Sequence, residues 1–252
     1  MTSTTTYHVP YRRLKRLIFS FLRPMFLLFF RLTIRLKIEG LENVPQTGGA
    51  LMVSNHVHNV DPVLLEAVFP RPIRFMAKKE VFDVPIAAWI SRMTDSFPVD
   101  RQNPDRAALK HAQIRLDGGA IVGMFPEGTR STTGGIKDVF PGAAAIALRS
   151  DVPIIPTAVI GTDTLPFNGS KGRREGKWRV TVRIGEPFYL RRQTEDGTKP
   201  NLAELTDQMM IEVASLLPEE YRGIYADRVR ESEQEAVDSD LAQERESELP
   251  IR

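Results

Sequence analysis

Two hundred and fifty-two residues make one large domain or two small ones, enough to bury a core without covalent staples. The composition, 42% hydrophobic and 26% charged, is that of an ordinary globular chain, and zero Cys excludes disulfides, Cys-ligated metal sites and a cysteine nucleophile. The net charge of +2 hides an asymmetry: residues 1–38 hold eight Lys/Arg and no acid, while residues 219–252 hold eleven Asp/Glu against five Arg. Basic residues confined to one end and interleaved with Phe and Leu point to a membrane surface and away from nucleic acid.

Residues 1–34 form the first segment. Leu14, Ile18, Phe21, Met25, Leu28 and Leu32 recur at spacings of three and four, which places them on one helical stripe. Arg12, Arg13, Arg16, Arg23 and Arg31 fall on the other side. The pattern predicts an amphipathic segment lying in the plane of a membrane interface. Its competing use is packing on the protein's own core. Pro24 predicts a division into two helices. Within residues 14–34 the longest uncharged run, Pro24–Phe30, is seven residues, well short of the roughly 20 that a membrane span needs. No small-residue cleavage site follows, which argues against a secretory signal. The expected location is the cytoplasmic face of the cell membrane, peripheral or monotopic.

From residue 35 onward strands and helices alternate. Arg35–Ile38, Ala50–Ser54, Ile73–Ala77, Ser96–Val99, Ala120–Phe125, Val152–Ile160 and Trp178–Ile184 read as strands. Pro62–Phe69, Pro85–Met93, Asn103–Leu116, Gly142–Arg149 and Leu202–Leu217 read as helices. The alternation predicts an α/β domain over 35–218 with a mostly parallel sheet flanked by helices. Residues 219–252 form an acidic tail, read as a solvated helix or a disordered stretch.

In such sheets chemistry gathers where strands end and helices begin. After the second strand comes Asn55-His56-Val57-His58-Asn59-Val60-Asp61-Pro62. An imidazole accepts a proton from a hydroxyl well when a carboxylate fixes its tautomer and stabilises the imidazolium. The five-residue gap lets Asp61 reach back to His56 through a helical turn or a tight turn. Asp61 before Pro62 also reads as a helix N-cap. His58 competes as the base, and His56, His58 and Asp61 could ligate a metal. A catalytic zinc takes three protein ligands with a supporting shell, and no metal is expected here. No Gly-x-Ser-x-Gly elbow, P-loop or dinucleotide fingerprint is present. Direct attack by a substrate hydroxyl or water, with no covalent enzyme intermediate, follows.

After the fifth strand comes Phe125-Pro126-Glu127-Gly128-Thr129-Arg130-Ser131. Gly128 permits close approach of a ligand. Glu127 suits a substrate hydroxyl or the orientation of Arg130, and Arg130 offers a fork that matches a phosphate. Arg101 follows the fourth strand, and Lys78-Lys79 ends the third. Three strand ends thus deliver cations.

These segments together resemble the glycerolipid acyltransferase family that includes bacterial 1-acyl-sn-glycerol-3-phosphate acyltransferases. Its four blocks appear in order over residues 40–190. They are Asn-His-x₄-Asp (Asn55, His56, Asp61), Phe97-Pro98-Val99-Asp100-Arg101, Phe125–Ser131, and an apolar strand with a central proline at Pro156. Pro98 departs from the commoner apolar or aromatic residue. The resemblance implies that His56 deprotonates the hydroxyl of a lysophospholipid acceptor while Asp61 orients it. The acceptor attacks the acyl thioester of coenzyme A or acyl carrier protein, a co-substrate and not a bound cofactor. It further implies that Arg101, Glu127, Gly128, Thr129 and Arg130, with Lys78 or Lys79, hold the glycerol phosphate. The expected product is phosphatidic acid, formed by acylation of the sn-2 hydroxyl. Another lysolipid or a glycolipid is the alternative acceptor.

Overall fold

A computed structural model describes residues 12–85, 88–89, 91, 94–99, 106–166, 178–190, 198 and 200–247. Helix α1 (Arg12–Thr33) leads into β1 (Arg35–Glu39). Then follow β2 (Ala50–Ser54), α2 (Asp61–Val68), β3 (Ile73–Lys78) and β4 (Phe97–Val99). Next come α3 (Arg106–Asp117), β5 (Ile121–Met124), α4 (Gly142–Ser150) and β6 (Ile154–Ile160). The chain continues through β7 (Arg179–Ile184), α5 (Leu202–Ser215), α6 (Glu219–Arg222) and α7 (Ala226–Ser247). The predicted helix over Pro85–Met93 and the start of the one over Asn103–Leu116 lie partly outside the described residues.

The strands form one seven-stranded sheet in the order β1-β7-β6-β2-β5-β3-β4. Every pairing is parallel except β6 with β7. The pleat sends alternate side chains to opposite faces. Leu51 and Val53 join a core with Leu116, Ala143, Ile146, Met209 and Val213, so α3, α4 and α5 cover one face. Ala50 and Met52 join a second core with Phe30, Ile34, Leu64 and Leu65, so α1 and α2 cover the other. Burial on both faces explains why the central strands read as continuous apolar runs.

A single helix runs through Pro24 where the sequence predicts two. A proline inside a helix costs about 3 kcal/mol. Packing offsets that here: Phe26 and Leu27 lie against the core, Phe30 and Ile34 are buried in it, and the Arg23 guanidinium donates to the Val68 carbonyl at 3.0 Å. The stripe itself splits. Phe21 (77%), Met25, Leu28, Phe29 and Leu32 remain exposed, whereas the neighbouring face packs on the sheet. Arg23 therefore sits against α2 and not on a solvated basic back. The side chains of Leu14, Ile18, Arg12, Arg13 and Arg16 lie outside the described residues. Among the described residues, no helix is long and apolar enough to cross a membrane.

The antiparallel step between β6 and β7 fixes where α1 ends. Ile160 pairs with Thr181, and Arg179 pairs with Arg35. Arg35 therefore stands level with Thr162, just past the carboxyl end of β6. The junction between α1 and β1 lies on the same sheet edge as the carboxyl ends of β2, β5 and β6. Beyond Arg230 helix α7 is exposed through Glu235, a solvated helix as its composition suggests.

Candidate active site

The carboxyl ends of β2, β5 and β6 bring together the segments that stood out in the sequence. Asn55, one residue past β2, is buried and pairs with β6 through its side chain. Its Nδ2 donates to the Val159 carbonyl at 2.9 Å, and its Oδ1 accepts from the Val159 amide at 2.8 Å. The side chain thus extends the sheet ladder by one step and fixes where His56 starts.

His56 Nδ1 lies 2.9 Å from Asp61 Oδ2. The Asp61 side chain is wholly buried and that of His56 is 13% exposed. The same Oδ2 accepts the amides of Val57 (2.9 Å) and His58 (2.7 Å), and Oδ1 accepts the Thr162 hydroxyl (2.7 Å). Four donors converge on one buried carboxylate. The array sets the His56 tautomer: Nδ1 carries the proton toward Asp61 and Nε2 is left as the acceptor nitrogen. Asp61 is not the N-cap of α2. Val60 holds that position, and the Asp61 carboxylate turns back onto the loop that precedes it.

His58 is spoken for. Its Nδ1 accepts the Val60 amide at 2.9 Å, and Nε2 donates to the Pro166 carbonyl at 3.2 Å. Desolvation lowers its pKa, opposed by the Pro166 carbonyl and the Asp61 charge. It is a neutral structural histidine.

The segment after β5 closes over His56. The Phe125 ring stacks on the imidazole at 4.2 Å, and Phe75 stacks on Phe125 at 5.6 Å. Glu127 is buried. Its Oε1 accepts the His56 amide at 2.8 Å, and its Oε2 faces the Lys137 amide at 3.5 Å. The Ser131 amide donates back to the His56 carbonyl at 2.7 Å. The carboxylate thus ties the His56 loop to the loop after β5. Burial pushes its pKa up to about 7, opposed by the His56 and Lys137 amides and the Lys137 charge.

Gly128 has φ +67, and a Cβ there would meet the Phe140 ring at 2.8 Å. Lys137 Nζ donates to the Thr129 hydroxyl and, at 2.9 Å, to the Arg130 carbonyl. It therefore braces the loop from within. Lys78 pairs with Glu80 at 3.2 Å, both about two-fifths exposed, and Lys79 is exposed beside it. Both lie beyond β5 at the end of β3. Arg101 lies outside the described residues.

Thr162 and Lys137 escaped the sequence reading, and Asn55 was named there without its role in the sheet. Thr162 follows β6 without a motif of its own. The roles of Asn55 and Lys137 depend on strands and loops distant in the chain.

Residues 35–160 match the acyltransferase family, and that span holds the histidine, the aspartate and the loop that closes over them. The chain belongs to the acyltransferase family. It is 32% identical over 176 residues to the 1-acyl-sn-glycerol-3-phosphate acyltransferase of Bacillus subtilis, covering 69% of this chain and 83% of that one. A chloroplastic 1-acyl-sn-glycerol-3-phosphate acyltransferase of Arabidopsis thaliana is 34% identical over 152 residues, which cover 59% of this chain and 42% of that one. The match thus spans less than half of the plant relative's length. The fold is that of the crystal structure of a 1-acyl-sn-glycerophosphate acyltransferase from Thermotoga maritima, with TM-score 0.61, 23% identity and 80% of each chain covered.

Proposed function

We propose that this acyltransferase moves a fatty acyl group from a thioester to the sn-2 hydroxyl of 1-acyl-sn-glycerol 3-phosphate, forming phosphatidic acid. The observation that carries the reading is the His56 Nδ1–Asp61 Oδ2 contact at the edge of the sheet. His56 Nε2 takes the proton of the acceptor hydroxyl as its oxygen attacks the thioester carbonyl. The tetrahedral intermediate collapses and expels the thiolate of coenzyme A or acyl carrier protein. The imidazolium then returns the proton to that sulfur, and His56 is restored.

Arg130, Thr129 and Gly128 hold the acceptor's phosphate and glycerol from the β5 loop. Arg101, Lys78 and Lys79 add positive charge from the neighbouring strand ends. Glu127 acts through the His56 amide. The exposed Phe21, Met25, Leu28, Phe29 and Leu32 support seating of α1 on the cytoplasmic membrane surface, where lysolipid acceptors reside.

The test is acyl transfer on vesicles from oleoyl-coenzyme A, with lysophosphatidate, a zwitterionic lysophospholipid or no acceptor. Product from lysophosphatidate alone upholds the reading. Product only from the zwitterionic lipid changes the acceptor, and free thiol without acylated lipid makes the protein a hydrolase.

A further inference from the structure

We infer that Tyr221, in α6 and outside the family match, is a positioning residue for the His56–Asp61 pair; the inference rests on the acyl-transfer reading above. Its hydroxyl donates to Asp163 Oδ1 at 2.8 Å. Asp163 belongs to the single turn Thr162–Thr164, whose first residue donates to Asp61 Oδ1 at 2.7 Å. The Tyr221 carbonyl accepts the Ile136 amide at 3.1 Å, and the Ile224 amide donates to the Ile136 carbonyl at 3.1 Å. Ile136 precedes Lys137, whose amide faces Glu127 Oε2 and whose ammonium braces Thr129 and the Arg130 carbonyl.

One residue therefore grips both flanks of the site. Its side chain holds the turn that orients Asp61, and its backbone holds the loop that carries Glu127 and hence the His56 amide. The clamp is tight. Gly223 has φ +55, and a Cβ there would lie 2.0 Å from the Ile136 carbonyl oxygen. The Tyr221 hydroxyl is half-buried, and desolvation together with Asp163 holds its pKa above the usual phenol range. The group stays a neutral donor and takes no part in proton transfer.

Tyr221→Phe removes the hydroxyl and leaves the Ile136 bonds in place. Small misplacement of a catalytic pair has large rate effects. The expected result is a fall in kcat of about fivefold to tenfold, with KM for lysophosphatidate and for oleoyl-coenzyme A unchanged and melting temperature nearly so. If the hydroxyl acts through Thr162, effects are non-additive: Thr162→Val with Tyr221→Phe is no slower than Thr162→Val alone. Unchanged kcat, or losses that multiply in the double variant, overturns the inference. A readout that needs no substrate accompanies it, the tautomer of His56 followed by ring ¹⁵N shifts. Wild type shows the proton on Nδ1, and Tyr221→Phe shows a mixture. A tautomer unmoved by the substitution also overturns the inference. A wild type inactive on every lysolipid overturns the acyl-transfer reading and leaves the tautomer result to decide the role of Tyr221.

Discussion

The His56 amide donates to Glu127 Oε1 at 2.8 Å, across 71 residues of chain. The loop after β2 and the loop after β5 are thereby a single unit, closed from the other side by the Ser131 amide on the His56 carbonyl. An imidazole held at its ring by Asp61 and at its backbone by Glu127 would, as the proposed base, have little freedom left to lose in the transition state.

His56→Ala removes the basic nitrogen and leaves the backbone bonds to Glu127 and Ser131. The expected loss in kcat is about 10²-fold or more, with lysolipid binding largely retained. Single-turnover assays with equilibrium lipid binding check both halves. Near-normal turnover would remove His56 from the mechanism.

Asp61→Asn keeps the shape and turns one acceptor oxygen into a donor. Val57, His58, His56 and Thr162 all present hydrogens to that carboxylate. An NH₂ at Oδ2 would face three of them and at Oδ1 one, so either way a buried donor loses its carboxylate acceptor, at about 1–3 kcal/mol. A lower urea midpoint and a loss of kcat are expected together. A variant as stable as wild type would contradict the four-donor arrangement.

Gly128→Ala is expected to reduce turnover through the backbone and not through crowding. The Phe140 ring that a Cβ would meet is 60% exposed and can swing away. The left-handed conformation at φ +67 remains, costing a non-glycine residue about 1–2 kcal/mol. Gly128→Ala with Phe140→Ala should therefore be as impaired as Gly128→Ala alone. Recovery in the double variant would make the clash the cause.

Burial raises Glu127 to about 7 and Glu66 to about 8, against an ordinary 4.5. Glu66 Oε2 accepts the Ile73 amide, its Oε1 has no partner, and the Arg74 charge offsets little of the burial. Between 4.5 and these values the folded chain keeps protons that the unfolded chain has released. These two groups thus make stability fall as pH rises from about 4.5 to about 8, and their cost is fully present above that. Glu66→Gln, which keeps an acceptor for Ile73, should flatten the pH dependence of the urea midpoint over this window. An identical slope in wild type and variant would refute the buried, protonated carboxyl.

Leu28→Glu and Leu32→Glu test the exposed stripe of α1. Both side chains are more than half exposed, so stability should change by about 0.5 kcal/mol or less. Binding to anionic vesicles should weaken about tenfold or more per substitution, given what a buried Leu contributes. Deleting residues 1–34 is a poorer test, since it strips Phe26, Leu27, Phe30 and Ile34 from the core. Unchanged vesicle binding would defeat the interfacial role of the helix.

The strands were legible because parallel strands buried on both faces leave unbroken apolar runs such as Ala50–Ser54 and Ile154–Ile160. The His56–Asp61 contact was legible because its spacing is local. The bond from the His56 amide to Glu127 was not legible, because an acid in a loop looks free until the neighbouring strand end is placed beside it. Thr162 and Asn55 act through strand register, which no local pattern encodes. Pro24 misled because its cost is local while the packing that offsets it comes from Val68 and the sheet.

The reversal between β6 and β7 has a consequence for how acceptor meets base. In an all-parallel sheet, a helix leading into the first strand would finish on the far edge, about 16 Å away for a five-residue strand. Here it finishes at Arg35, level with Thr162. On the reading proposed above, a lipid layer touched by Leu32 would run alongside the rim that carries His56, and an acceptor would reach that residue by lateral diffusion within the layer. The search for substrate shrinks from a volume to a plane.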